Sequence, residues 1–230
     1  LWRGATDWPV FLTGSSMIVA GGLNAKAVIY PIAEGSSQAS RLTNWAVLVR
    51  IGDANTPPPR REDWSRPGKR DELMPHVAGF NIPQVDLAAL IGATPEFWEY
   101  PCCDRDPLPY WTSGRVTLLG DAAHPMYPVG SNGASQAILD ARSLADALAT
   151  AEHPRQALLA YERKRLPMTA EIVASNRRGG PEGVIDAVEQ LAPHGFTDLN
   201  AILSYEARES IVRGYAAKAG FAARVVQRAS

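Results

Sequence analysis

Gly114 to Ala141, GRVTLLGDAAHPMYPVGSNGASQAILDA, is the stretch from which the fold of this chain is read. Arg115-Val116-Thr117-Leu118-Leu119 is a compact β run that stops at Gly120-Asp121, and such a run predicts a buried strand. After a loop, Ala134, Ala137, Ile138, Ala141, Leu144, Ala145 and Leu148 recur at i, i+3, i+4 and i+7, which predicts a helix with one buried face. A strand that delivers an acid at its C-terminal end, followed by a Gly-containing loop that opens a helix, is where ligands collect in α/β folds. The Asp121 carboxylate can accept hydrogen bonds from sugar-like hydroxyls, and Gly130 and Gly133 let backbone amides come close to a ligand. The helix starting near Asn132 or Gly133 offers unpaired N–H groups and roughly half a positive charge, which suits an electron-rich or anionic group.

Outward from this stretch the character changes. Upstream, Ser16 to Ala20, Ala27 to Ile32 and Trp45 to Arg50 are short runs rich in Val, Ile, Tyr and Trp, and predict an antiparallel sheet. The chain begins within an apparent strand and without Met, which leads to the expectation of a fragment or a processed product. Ile51 to Lys69, with Pro57-Pro58-Pro59 and several charges, should be a surface excursion and the least ordered part. Asp71 to Ala78 and Gln84 to Ile91 predict short helices, and Glu96 to Cys102 a return to strand. Downstream, a helix is expected from about Arg155 towards Arg178, kinked or restarted at Pro167 and broken at Gly179-Gly180-Pro181. The tail from Glu182 to Ser230 reads as two or three amphipathic helices, interrupted near Pro193 to Gly195 and at Gly214.

Composition narrows the function classes. With 23 Lys+Arg against 24 Asp+Glu, the net charge of -1 leaves no electrostatic footprint for nucleic acid or an anionic membrane surface. No run approaches the roughly 18 apolar residues of a membrane span. The two cysteines, Cys102 and Cys103, are adjacent, so neither a mutual disulfide nor a zinc spacing is expected, and a reducing, cytoplasmic setting fits best. Histidines 76, 124, 153 and 194 form no metal-binding spacing. Gly14-Ser15-Ser16 and Gly130-Ser131-Asn132-Gly133 do not make a nucleophile elbow, which argues against a hydrolase.

Gly120-Asp121-Ala122-Ala123-His124, with Pro128 through Gly133 as a Pro-x-Gly-x-x-Gly turn, resembles the second FAD signature of the group A flavoprotein monooxygenases, the family of p-hydroxybenzoate and salicylate hydroxylases. Trp2-Arg3-Gly4, Tyr30-Pro31-Ile32, Asn44-Trp45, Asp104 to Pro109 and Pro128 to Asp140 resemble, in order, segments of its phenazine-modifying branch. The resemblance implies an α/β (α+β) fold. An antiparallel substrate-domain sheet would be followed by the returning strand and helices of a FAD-binding domain, without the N-terminal Rossmann portion. It divides the chain into a substrate-binding sheet region (1–105), the C-terminal part of the FAD-binding domain (106–180) and a helical tail (181–230).

The same resemblance assigns Gly120, Asp121, Pro128, Gly130, Asn132, Gly133, Ala134 and Ser135 to FAD, with Asp121 on the ribityl chain and the backbone from Gly133 on the pyrimidine edge of the isoalloxazine. Tyr30 and Trp45 are implied as substrate-pocket walls, with Pro128 between substrate and flavin. It further implies that NAD(P)H reduces the flavin, that oxygen adds at C4a, and that the resulting hydroperoxide hydroxylates an electron-rich aromatic ring. The partners are then a small aromatic substrate and molecular oxygen, and a homodimer is left open. No catalytic side chain is assigned. The Gly-x-Gly-x-x-Gly segment that would hold the pyrophosphate is absent from this sequence, so the isolated chain is expected to bind FAD weakly or not at all. The alternative is a non-catalytic binding or interaction protein derived from this fold.

Each residue also has a plainer reading. Asp121 could be a turn or helix-capping acid, and Gly130 and Gly133 could simply form a turn. His124, a lone histidine beside Pro125, is more often structural. Tyr30 and Trp45, aromatic residues in strands, are usually core, and Asp104, Arg105 and Asp106 read as a solvated turn or a local salt bridge.

Overall fold

The computed structural model describes residues 1–53, 55–57 and 59–221. It divides into two compact units that meet in sequence at Cys102 and Cys103, so the tail after residue 181 falls in the same unit as the segment before it.

The first unit is built on an antiparallel sheet. Its strands are β1 (Trp2–Pro9), β2 (Ile18–Gly21), β3 (Ala25–Glu34), β4 (Ser40–Val49) and β5 (Phe97–Glu99), in the order β2-β3-β4-β1-β5. In β3 and β4, Ala27 and Ile29 stand opposite Val47 and Trp45, and all four are fully buried. Because side chains alternate across a strand, these residues share one face. Two short helices cover that face: α1 (Arg70–Val77) contributes Leu73 and Val77, and α2 (Leu87–Ala93) contributes Leu87, Leu90 and Ile91. The Asp86 side chain starts α2 by accepting the Ala89 amide at 2.9 Å, as expected of an N-cap acid. The register of β3 on β4 slips between Pro31 and Ala33, where proline has no N–H to give to the ladder. Most described residues of the Ile51 to Lys69 excursion are exposed; Ala54 and Pro58 of that stretch lie outside the described residues.

The second unit departs from the sequence reading in several places. The run Arg115 to Leu119 is not a buried strand. Only Val116–Thr117 (β7) forms a paired strand, with Thr112–Ser113 (β6), and Val116 is 67% exposed. A longer ladder needs further strands beside it, and the described residues of this unit supply none. Helix α3 (Gly133–Thr150) forms where the periodicity places it, yet the wrong face was expected to be covered. Ala134, Ala141 and Ala145 are exposed, Ile138 is 70% exposed and Leu148 47%, while the buried residues are the polar Gln136, Asp140 and Ser143. The polar face turns to α4 (Pro154–Arg177), whose Arg165 binds it, and of the expected stripe only Ala137 and Leu144 are partly buried, Leu144 against Trp111, Ala123 and Tyr161.

Helix α4 runs through Pro167 as one element. Proline removes the bond to the Arg163 carbonyl, but Arg163 and Pro167 are both exposed, so water can take that acceptor. After a left-handed Gly179 come α5 (Gly183–Leu191), α6 (Leu199–Ile202) and α7 (Tyr205–Ala219). Gly214 does not interrupt α7. It sits on the exposed side, and burial of Tyr215 and Ala219 on the other side holds the helix until Gly220 ends it in the left-handed conformation.

Candidate functional site

The loop and helix of the decisive stretch come together around one buried carboxylate. Gly120, at φ 61°, turns the chain out of the hairpin into a short 3₁₀ turn, Gly120–Ala122. Its amide donates to Asp140 Oδ2 at 3.1 Å. The same oxygen lies 2.5 Å from His124 Nε2, and Asp140 Oδ1 accepts from Arg165 Nε at 2.6 Å. Asp140 is completely buried, and the side chains of His124 and Arg165 are each only 3% exposed. Burial pushes the Asp140 carboxyl up, but the hydrogen bonds from His124, Arg165 and the Gly120 amide outweigh it and hold the group below its ordinary value. His124 is thus a structural partner of Asp140. Its Nδ1 finds no partner among the described residues, and the ring borders a cavity of about 10 Å³ beside Trp111 and Thr169, room for roughly one water.

From Arg165 the network continues to the start of α3. The second arm of its guanidinium donates to Gln136 Oε1 at 2.6 Å, and Gln136 Nε2 donates to Asn132 Oδ1 at 3.2 Å. Asn132 is the residue before α3, where its side chain would ordinarily accept one of the first helical amides. It makes no such cap: it is 1% exposed, and its Nδ2 donates instead to the Tyr215 hydroxyl at 3.3 Å. The amides of Gly133, Ala134 and Ser135 therefore have no acceptor among the described residues. Asp121 is exposed, and its Oδ1 lies 3.9 Å from where a Cβ on Gly133 would stand. One acceptor carboxylate and three open donors thus share a surface at the positive end of an 18-residue helix.

The structure sorts the residues named from the sequence. Asp121, Gly133, Ala134 and Ser135 are brought together, and exposed Pro128 begins the adjoining loop. Gly120 is buried beneath them as backbone support. Two roles need correcting. Asn132 is 1% exposed with both side-chain amide atoms committed internally, so its side chain is turned away from that surface. Gly130 is closed on one side: a Cβ there would stand 2.9 Å from Pro181 Cδ and from the Tyr215 ring, and its amide donates to Glu182 Oε1 at 3.2 Å. Its left-handed φ of 72° accommodates the tail of the chain.

In the first unit, Trp45 is fully buried and donates its indole N–H to Thr94 Oγ1 at 2.8 Å, so it is a core residue rather than a pocket wall. Tyr30 pairs with Asn44, one position along from the Ile29–Trp45 pair, and so stands on the opposite sheet face, half-buried. There Arg3 Nε donates to Asn44 Oδ1 at 2.7 Å, a polar pair that sequence reading did not single out. Asp104 and Asp106 close on Arg177, at 2.6 and 2.8 Å.

Asp140, Arg165, Gln136 and Tyr215 were likewise missed. Asp140 was visible only as a lone acid beside an apolar periodicity, and no spacing rule ties it to an arginine 25 residues on.

Residues 107–176 match the family described as the FAD binding domain. The chain is 44% identical over 179 residues to the phenazine 1,6-dicarboxylic acid hydroxylase PhzS of Lysobacter antibioticus, which covers 77% of this chain and 44% of that protein. It is 38% identical over 162 residues to the 3-amino-4-hydroxybenzoate 2-monooxygenase PtmB3 of Streptomyces platensis, covering 70% of this chain and 38% of the relative. The chain therefore spans less than half the length of these curated relatives. A solved salicylate hydroxylase substrate complex shares the fold, with a TM-score of 0.62 at 20% identity over 96% of this chain and 56% of that one.

Proposed function

We propose that this chain is the C-terminal part of an FAD-dependent, NAD(P)H-using monooxygenase that hydroxylates a phenolic, phenazine-like or aromatic carboxylate substrate. The observation that carries the reading is the uncapped start of α3 beside Asp121: three amides and one carboxylate without partners among the described residues, in a segment that matches the FAD binding domain family. Asp121 accepts hydrogen bonds from ribityl hydroxyls. The amides of Gly133, Ala134 and Ser135 hold the pyrimidine edge and stabilise negative charge there as fixed dipoles that need no reorganisation. When bound and reduced by NAD(P)H, FAD supplies oxygen transfer from molecular oxygen, activated at its C4a position, to the aromatic ring. The residues present fit that group, because the donor set matches an electron-rich heterocycle and the acceptor matches a polyol.

Tyr30 is assigned to substrate contact within the first unit, on the sheet face opposite the one that α1 and α2 cover, and Pro128 to the flavin loop of the second unit. A helix end contributes about 0.3 to 1 kcal/mol to an exposed charge and roughly 2 when partly buried, so these contacts alone give weak FAD binding.

The test is a flavin fluorescence titration of the 230-residue chain beside the protein expressed from its complete reading frame. Tight FAD binding and aromatic-dependent NAD(P)H consumption by the complete protein, with weak binding by the chain, is the expected result. FAD binding by neither protein would overturn the reading and favour a non-catalytic binding protein.

A further inference from the structure

The loop ahead of α3 holds an unusual backbone. Gly130 and Ser131 are consecutive left-handed residues, at φ 72° and 49°, and Ser131 has a side chain that disfavours this conformation. Such a turn persists only where its surroundings fix it. What fixes it lies after residue 177, outside the stretch that matches the FAD binding domain family. Glu182 Oε1 accepts the Gly130 amide, Pro181 and the Tyr215 ring pack on Gly130, the Tyr215 hydroxyl accepts from Asn132, and the Ala219 carbonyl accepts from Gln136 Nε2 at 3.0 Å.

The Tyr215 contact has a specific consequence. An asparagine before a helix ordinarily turns its side-chain oxygen onto the first-turn amides. Here the Asn132 oxygen is held by Gln136 and its nitrogen by Tyr215, both within the interior, so the side chain is withdrawn from the amides it would otherwise occupy. We infer that the C-terminal segment is a positioning element for the cofactor loop: Tyr215 holds the Asn132 nitrogen, the Ala219 carbonyl holds the Gln136 amide that keeps the Asn132 oxygen off the α3 amides, and Glu182 fixes the Gly130–Ser131 turn beside them. This rests on the FAD reading above, and it makes Tyr215 and Glu182 positioning residues that touch no cofactor themselves.

The experiment uses the protein expressed from its complete reading frame, with Y215F, E182Q and the double variant Y215F/N132A. Two readouts are taken: the dissociation constant for FAD from fluorescence quenching, and hydrogen exchange of the Gly130–Ser135 amides without FAD. Loss of one buried hydrogen bond corresponds to roughly a three- to tenfold change in an equilibrium. Y215F is expected to weaken FAD binding by that factor. It should also slow exchange of the α3 amides, as an Asn132 side chain no longer tied by its nitrogen gives up Gln136 and caps them, and E182Q should speed exchange at Gly130. Removing the competing side chain in Y215F/N132A should recover FAD affinity relative to Y215F, a rescue that a merely structural tyrosine would not give. Unchanged exchange in both single variants, or a double variant that binds FAD no better than Y215F, overturns the inference. Failure of the wild-type protein to bind FAD defeats the cofactor reading instead, while the exchange rates still decide whether the tail sets the loop.

Discussion

Replacing Asp140 by asparagine takes the one negative charge out of a buried site that holds three donors: the Gly120 amide, His124 Nε2 and Arg165 Nε. An asparagine oxygen in the place of Oδ2 can still accept from Gly120 and His124, but its NH₂ then faces Arg165 donor to donor. Arg165, 3% exposed, is left without its counter-charge. Removing one partner of a buried ion pair costs about 3 to 5 kcal/mol, because the remaining charge stays desolvated. For a chain of 230 residues each kcal/mol moves the melting temperature by about 2 to 4 °C, so Asp140→Asn should melt roughly 6 to 20 °C below the parent near pH 7.

The pH dependence carries the sign. Asp140 is held below its ordinary value in the fold. Its stabilisation is therefore complete above the unfolded-state pKa near ~3.9 and is lost as the pH falls through the lower folded value. Urea unfolding followed by circular dichroism should show a constant gap between parent and variant from pH 8 to about 5, narrowing below ~4. A gap under about 1 kcal/mol at pH 7, or one that fails to narrow in acid, would refute the buried-network account.

Other substitutions separate binding from folding. Asp121→Ala removes an exposed carboxylate with no partner among the described residues, so the unfolding free energy should hold within about 0.5 kcal/mol. FAD binding by the complete protein should weaken roughly ten- to a hundredfold, the value of a charged hydrogen bond; equal affinity in a titration would remove Asp121 from the site. Gly130→Ala forces a side chain into left-handed backbone and into Tyr215 and Pro181. A loss of about 2 to 4 kcal/mol in chemical denaturation is expected, and a neutral result would mean the tail does not press on the loop. Ile138→Lys on the exposed face of α3 should leave the stability of the 230-residue chain unchanged within about 0.5 kcal/mol; a clear drop in melting temperature would show that this face is covered.

The sequence by itself determined what depends on local periodicity and on short motifs. The strands around Ala27 to Ile32 and Trp45, the helix from Gly133, the break at Gly179 and the Asp121-to-Gly133 constellation all follow from neighbours in the chain, where backbone sterics and side-chain alternation act directly. Only the tertiary structure decided which faces those elements bury. The apolar stripe of α3 pointed to the wrong side because periodicity records that a face exists and says nothing of what lies against it. Trp45 and Tyr30, both strand aromatics, were separated only by a register that puts one with Ile29 in the core and the other on the open face. The Asp140–Arg165–Gln136–Asn132–Tyr215 chain joins residues up to 83 positions apart, and such contacts exist only once α3, α4 and α7 have packed. The amides that make the candidate site were legible as a helix start; that the Asn132 side chain is held in the interior by Gln136 and Tyr215, and makes no cap on them, was not.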